Sequence, residues 1–157
     1  MQYRMKTHQL TLEQITHLLQ ESETGTLATI NHDGTPYIVP IHFILLNGCI
    51  YLHGLSVGQK LDNIRENPVI CFNVYKMEGL LLDEKETPCD TNTQYQSVTM
   101  QGKARLIDSL EHKRKVLQAI VNKYVPKLSD KVLPDNMIKG TSVIEIMIEN
   151  ITGKYWK

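Results

Sequence analysis

The residues with the clearest chemical potential lie within residues 50–68, where an apolar strand pattern ends at His53. A short loop follows, and a helical pattern begins around Gly58, Gln59 and Lys60. The first turn of a helix exposes backbone N–H groups without partners and carries a partial positive charge, so it favours an anion. Lys60 adds a full charge and His53 adds a hydrogen-bond donor. The spacing therefore predicts a phosphate-binding site at this junction.

The sequence contains no other familiar catalytic arrangement. It has no GxSxG, HExxH, P-loop or paired-carboxylate motif, which argues against hydrolase and kinase chemistry. Its three cysteines show no CxxC and no regular spacing, so neither a zinc site nor a disulfide framework is predicted, and no metal site is expected. Four further histidines lack ligand spacing and are predicted to lie on the surface: His8, His17, His32 and His112.

The composition indicates one globular domain over residues 1–157. Hydrophobic residues make up 41% of the chain and charged residues 22%, which suits an ordinary packed core. Basic and acidic residues number 17 each, so no net charge attracts nucleic acid. No apolar run has the length of a membrane span, and the first residues lack the apolar segment of a signal peptide. We therefore expect a cytoplasmic protein without membrane or nucleic-acid partners.

Hydrophobic spacing predicts the elements that must position the site. Thr11 and Gln14 have the form of a capping box, which indicates a helix over 12–22. Three strand patterns joined by tight turns then indicate an antiparallel meander, and they cover residues 25–30, 36–46 and 49–53. The remaining patterns predict a short helix over 60–67, strands over 69–74, 95–107 and 142–148, and a helix over 110–124.

Two connections show no clean periodicity. Residues 76–93 are polar and are predicted to form a long loop or lid, and residues 125–140 are predicted to form a mixed connection. Together the patterns predict an α+β fold in which six strands form a closed or nearly closed barrel with two or three helices outside it.

The chain resembles the FMN-binding split-barrel superfamily, which includes pyridoxamine 5′-phosphate oxidase. Five short motifs carry a closer resemblance to its nitroimidazole-resistance (Nim-like) branch. They are Gly-x-Pro-Tyr-x-Val-Pro at 34–40, Tyr-x-His at 51–53, Gly-x-Lys-Leu-Asp at 58–62, Tyr-x-Ser-Val at 95–98 and Thr-Gly-Lys at 152–154. The resemblance covers residues 5–154. It implies a six-stranded antiparallel split β-barrel with flanking helices.

The resemblance also implies an FMN site. Lys60 and His53 would contact the phosphate, with Gly54 and Gln59 beside them. The remaining contacts would line or touch the flavin, and they are Val39, Pro40, Ile41, His42 and Ser97. Where the oxidase has an Arg-Lys pair, this chain has Gln59-Lys60, so His53 or a partner chain must replace one charge. The oxidase's substrate-binding Trp and Arg region is not recognisable, which argues against oxidation of pyridoxamine phosphate.

The function implied by the resemblance is that of an FMN-dependent oxidoreductase. Electrons would pass from a reduced nicotinamide through FMN to a small acceptor, which in the Nim-like branch is a nitroaromatic compound. The protein would be a homodimer with FMN at the subunit interface, and Trp156 is either frayed or covers the partner's flavin. Two alternatives stay open: a non-enzymatic flavin-binding or storage protein, and a haem-binding split barrel with His42 or His53 as iron ligand.

Overall fold

The computed structural model describes residues 6–85 and 87–157, which form six strands and four α-helices. The strands are β1 (Thr24–Ile30), β2 (Pro36–Leu46), β3 (Cys49–Gly54), β4 (Val69–Leu81), β5 (Asn92–Leu106) and β6 (Ser142–Trp156). The helices are α1 (Leu12–Glu21), α2 (Gln59–Glu66), α3 (Leu110–Tyr124) and α4 (Asp135–Gly140). Short 3₁₀ turns occupy Pro88–Asp90 and Pro126–Leu128. The predicted α+β class with six antiparallel strands is confirmed.

The six strands pair in the order β1-β2-β3-β6-β5-β4, and the pairing of β4 with β1 closes the barrel. The meander over β1–β3 follows from its turns, because Gly34, Asn47 and Gly48 all adopt the positive φ that tight hairpins need. The register places Thr24 opposite His42 and Phe43 opposite Leu52. As a result, His42 and His53 lie on neighbouring strands near the same end of the meander.

Two hydrophobic clusters hold the fold. The interior cluster includes Phe43 and Phe72, whose rings meet edge to face, and α1 adds its buried leucines to it. The capping box at the start of α1 is confirmed, since Thr11 and Gln14 exchange both hydrogen bonds. A second cluster lies where α3 packs on the outer face of the barrel, over Ile44 and Val143.

The predicted loop over 76–93 is too long at both ends: the structure keeps a connection over 82–91, which includes the 3₁₀ turn, and assigns 76–81 and 92–93 to strands. β4 continues to Leu81 and β5 begins at Asn92, and the two residues pair directly in one long hairpin. A register shift between Met77 and Gly79 breaks the alternation of side chains, and backbone pairing needs no apolar residues. The strand ends over 76–81 and 92–93 therefore have the sequence pattern of a loop, although their backbones are paired.

The last strand is also longer than the predicted 142–148. It continues to Trp156, which pairs with Tyr95 and packs against the ring of His8, so Trp156 is not frayed. The connection over 125–140 contains the 3₁₀ turn and α4. None of the helices in the described part of the chain is long and apolar enough to cross a membrane.

Candidate functional site

The strand-to-helix junction forms as the sequence predicts. β3 ends at Gly54 and α2 begins at Gln59, with Gly58 between them at φ 138°, a conformation that L side chains rarely adopt. The carbonyl of Gly58 accepts the N–H of Leu61, but no side chain caps the helix. Among the described residues, the first two N–H groups of α2, those of Gln59 and Lys60, therefore have no side-chain cap and no intrahelical acceptor.

Lys60 lies across the end of β3. Its Nζ is 3.5 Å from the position that a Cβ on Gly54 would take, which is ordinary van der Waals distance, so the ammonium group lies directly beside Gly54. The ion pairs formed by the described residues do not include Lys60. We call His53, Gly54, Lys60 and the first turn of α2 the phosphate cradle.

His53 is the polar residue of this cradle whose bonding is incomplete. Its Nδ1 is buried and has no hydrogen-bond partner among the described residues. Burial lowers the pKa of His53, and the neighbouring His42 and Lys60 lower that pKa further. The imidazole is therefore neutral at neutral pH. Buried polar atoms are normally hydrogen-bonded, so an unpartnered nitrogen beside a free ammonium group is the mark of a ligand site.

An open cavity of about 450 Å³ adjoins the cradle. We call it the ring cavity, and its lining residues are Thr24, Pro40, Ile41, His42 and His53. Pro40 and His42 are exposed on the outer face of β2. Both side chains are therefore accessible to a flavin, as their predicted role as flavin contacts requires. The side chains of Val39 and Ile41 both pack against the barrel core. Ile41 also lines the ring cavity, whereas Val39 does not.

The side chain of Gln59 is bonded within α2. Its side-chain amide donates to Oδ1 of Asn63 over 2.8 Å. Asn63 is buried and donates in turn to Thr29 and Asn31, each over 2.9 Å, which fastens α2 to β1. The sequence did not reveal Asn63, because an asparagine in a short polar helix is usually exposed. This bond uses one side-chain N–H of Gln59, so the predicted place of Gln59 beside the phosphate stays a prediction.

Ser97 does not join the other predicted residues within one chain. It lines a separate cavity of about 410 Å³ with Thr99, Thr152 and Lys154. The neighbours on β6 show the separation: His53 pairs with Val143 near the start of that strand, and Ser97 pairs with Lys154 near its end.

A second polar cluster, absent from the sequence predictions, lies between α3 and the sheet. Glu145 is 5% exposed and accepts hydrogen bonds from the Tyr51 hydroxyl, over 2.6 Å, and from Arg105 Nε. His112 lies 3.3 Å from the same hydroxyl. Burial raises the pKa of Glu145, but the bonds from Tyr51 and Arg105 outweigh it and lower that pKa on balance. We call these four residues the Glu145 cluster.

The four scattered histidines divide into two pairs. His17 and His32 are exposed, as predicted. His8 and His112 are partly buried instead, because His8 packs on Tyr155 and Trp156, and α3 brings His112 edge to face with Tyr51. Within residues 6–85 and 87–157, no group of three or more His, Cys, Asp or Glu side chains is placed to hold a metal ion.

Comparisons with known proteins identify the family and the fold. The family model described as pyridoxamine 5′-phosphate oxidase matches residues 11–155. No curated protein matches the chain. The chain is similar to a putative 5-nitroimidazole antibiotic resistance protein from Bacteroides thetaiotaomicron, with 23% identity, a TM-score of 0.79, and coverage of 94% of this chain and 86% of that one.

Two further solved structures share the fold. The flavocytochrome Anf3 from Azotobacter vinelandii is 23% identical, with a TM-score of 0.82. The match covers 94% of this chain and 68% of that one. The FAD and heme binding protein from Mycobacterium smegmatis is 21% identical, with a TM-score of 0.86. The match covers 96% of this chain and 74% of that one. Such identities show the fold alone. The family model, however, spans most of the sequence, so the chain belongs to the pyridoxamine 5′-phosphate oxidase family.

Proposed function

We propose that this protein binds FMN and passes electrons from a reduced nicotinamide through it to a small acceptor. The observation that carries the proposal is the phosphate cradle, where the buried Nδ1 of His53 lies near the ammonium group of Lys60. Among the described residues, this nitrogen has no hydrogen-bond partner and this ammonium group has no ion-pair partner. Membership of the family, and the flavin- and haem-binding proteins that share the fold, support a redox cofactor here.

The cradle suits a phosphate monoester. Lys60 supplies one full positive charge, the uncapped start of α2 supplies N–H donors, and the His53 imidazole can donate from Nδ1 in one of its tautomers. Gln59 stands where the oxidase has an arginine, so this site has one permanent cation. The His53 imidazole is neutral without ligand, and a phosphate beside it would favour its protonation. The phosphate of FMN fits this donor set.

The ring cavity is the proposed place for the isoalloxazine. Pro40 and Ile41 offer an apolar wall, and His42 offers an imidazole beside it. When bound, FMN supplies the redox chemistry, and the protein's part is to fix the ring and limit access to it. The chain's own contribution is therefore positional: the cradle anchors one end of the cofactor, and β2 orients the other.

We also propose that the protein is a cytoplasmic homodimer of the split-barrel type with FMN at the subunit interface. Ser97 is remote from His53 within one chain, so Ser97 would contact the flavin held by the partner subunit. Tyr75, Met77 and Leu80 on β4 are each more than half exposed, which supplies apolar surface for a second copy. All three cysteines are free thiols, which agrees with a reducing compartment. Light scattering on a sizing column tests the dimer directly.

The acceptor proposed from the Nim-like resemblance is a nitroaromatic compound. The similar fold of the Bacteroides thetaiotaomicron protein supports this choice. Loss of nitroimidazole absorbance in the presence of FMN-loaded protein and NADH or NADPH would support it. Oxidation of reduced flavin by oxygen alone, with the nitroimidazole untouched, would argue for a different acceptor.

Haem is the second candidate ligand, because His42 and His53 face the same cavity and one of them has an unpartnered nitrogen. Visible spectroscopy of the protein, purified and then supplied with FMN or with haem, separates the two ligands. FMN gives paired flavin bands, and haem gives one sharp Soret band. Absence of flavin binding would overturn the main proposal. Rapid anaerobic bleaching by NADH or NADPH would then distinguish an enzyme from a flavin-storage protein.

A further inference from the structure

We infer that Tyr124, the last residue of α3, is a positioning residue that fixes the His42 side chain in the ring cavity. The inference rests on the proposed function, in which His42 lies beside the flavin ring. An exposed histidine on a strand has several staggered rotamers available, so a fixed orientation needs a neighbour that holds the imidazole. The structure supplies that neighbour from a distant part of the chain.

The contact between the two rings is a stack. The centroids of His42 and Tyr124 lie 4.8 Å apart, and their planes are inclined by 28°. This separation is within the range of favourable aromatic pairs. One face of the imidazole is therefore covered by Tyr124, while His42 still lines the ring cavity.

Tyr124 is itself held firmly. Its hydroxyl accepts the N–H of Phe43 over 2.9 Å. The single hydrogen of this hydroxyl can go to the carbonyl of Glu23, at 2.6 Å, or to that of Phe43, at 2.7 Å. The N–H and the carbonyl of Phe43 thus both lie within hydrogen-bond distance of this hydroxyl. Phe43 follows directly after the last residue pair between β1 and β2, which is Thr24 with His42. The Tyr124 hydroxyl therefore contacts the backbone of β2 at the position where a further residue of β1 would otherwise pair with Phe43.

The preceding residue strengthens the anchor. The Lys123 ammonium donates to the carbonyls of Ser22 and Phe43, over 2.6 and 3.1 Å, and approaches that of Leu19 at 3.4 Å. The end of α3 is therefore fastened to the end of α1 and to β2 at the residue that follows His42. Because this end of α3 is held in place, the side chain of Tyr124 has little conformational freedom. Its ring can therefore hold the imidazole of His42 in one orientation.

The test compares Tyr124→Leu, which removes the stack, with Tyr124→Phe, which keeps the ring and removes the hydroxyl. Tyr51→Phe is the matched control, because it also removes a hydroxyl that ties α3 to the sheet, but at the Glu145 cluster. NMR signals of the His42 ring report its position, and quenching of flavin fluorescence reports the Kd for FMN.

We expect Tyr124→Leu to shift the His42 ring signals and to weaken FMN binding about three- to tenfold, the range for loss of one aromatic pair. Tyr124→Phe should show the same changes at smaller size. Tyr51→Phe should lower the Tm without moving the His42 signals or the Kd. In a His42→Asn background, Tyr124→Leu should cause no further loss of affinity.

The inference is overturned if Tyr124→Leu leaves the His42 signals and the Kd at the values of the Tyr51→Phe control. Should Tyr124→Leu fail to fold, the same comparison between Tyr124→Phe and Tyr51→Phe decides. Failure of the wild-type protein to bind FMN would instead refute the proposed function. The His42 signals would still show whether Tyr124 positions that ring, so the two failures are distinguishable.

Discussion

Tyr51 and His53 are two polar residues of β3. They are two positions apart and lie on the same face of the strand, yet they differ in whether their polar atoms are hydrogen-bonded. Tyr51 is 4% exposed, and its hydroxyl is bonded to Glu145 within a cluster of charged and polar partners. His53 has a buried nitrogen with no partner among the residues that the structure describes. A polar cluster whose bonds are complete holds the fold, whereas one whose bonds are incomplete is prepared for a ligand.

The largest effect should come from the complete cluster. Glu145→Ala removes the acceptor of the buried Tyr51 hydroxyl and of Arg105, and we expect it to lower the free energy of unfolding by about 3 kcal/mol. Urea denaturation measures this loss. FMN affinity of the folded fraction should stay unchanged. If affinity fell as well, the division between a structural and a binding cluster would be wrong.

Lys60→Ala tests the incomplete cluster. Loss of one charge-assisted contact to phosphate weakens binding by about 1.5–3 kcal/mol, so the Kd for FMN should rise at least tenfold, while the Tm stays the same. Riboflavin, which lacks the phosphate, should bind both proteins equally. Lys115→Ala, in an exposed pair with Glu111 on α3, is the control. Equal losses for FMN and riboflavin would remove Lys60 from the phosphate cradle.

Gln59→Arg sharpens the comparison by moving the cradle towards the oxidase pattern. A second cation at the start of α2 should tighten FMN binding, by less than about tenfold, since the new charge is exposed. The same change breaks the bond from Gln59 to Asn63 and should lower the free energy of unfolding by about 0.5–1.5 kcal/mol. Paired titrations with FMN and riboflavin measure the gain, and a gain shared by riboflavin would contradict it.

The smallest effect concerns pH. Burial, His42 and Lys60 hold the pKa of His53 below the ordinary value of 6.5, so the folded protein keeps this group neutral. Its contribution to stability is present in full above pH 6.5 and is lost as the pH falls, because the unfolded chain takes up the proton more readily. The Tm of the protein without ligand should decrease slightly between pH 7.5 and 5.5, and less so in His53→Gln.

Added FMN reverses the preference for the proton, because a phosphate beside His53 favours the charged imidazole. The pH-dependent part of the Tm that His53 controls should therefore shrink or change sign when FMN is present. Differential scanning fluorimetry with and without FMN compares the two conditions. Identical pH profiles for wild type and His53→Gln in both conditions would show that His53 does not face the phosphate.

The sequence predicted the fold and the cradle because both depend on local signals. The turns at Gly34 and Asn47-Gly48, the capping box at Thr11 and the loop before Lys60 each act over a few residues. The prediction failed at the long β4–β5 hairpin, where backbone pairing continues without an apolar pattern.

The parts of the site that the sequence could not show depend on distant pairing. The Glu145 cluster takes residues from β3, β5, β6 and α3, and no spacing along the chain brings them together. The same holds for the stack of Tyr124 on His42, whose partners are 82 positions apart. The placement of Ser97 on a separate cavity likewise depends on the register of β5 with β6.

The closing strand of the barrel has a consequence for biosynthesis. β6 is hydrogen-bonded to both β3 and β5, and it comes last of the six strands along the chain. Until it leaves the ribosome, β3 and β5 each present an open edge on which another chain can pair. About 50 residues separate the end of β5 from the end of β6, and about 100 separate the end of β3 from it. At ordinary rates of translation the edge of β5 therefore stays open for roughly 2.5–10 s and that of β3 for roughly 5–20 s. Nascent chains therefore pass through an interval in which two strand edges are open to pairing with another chain.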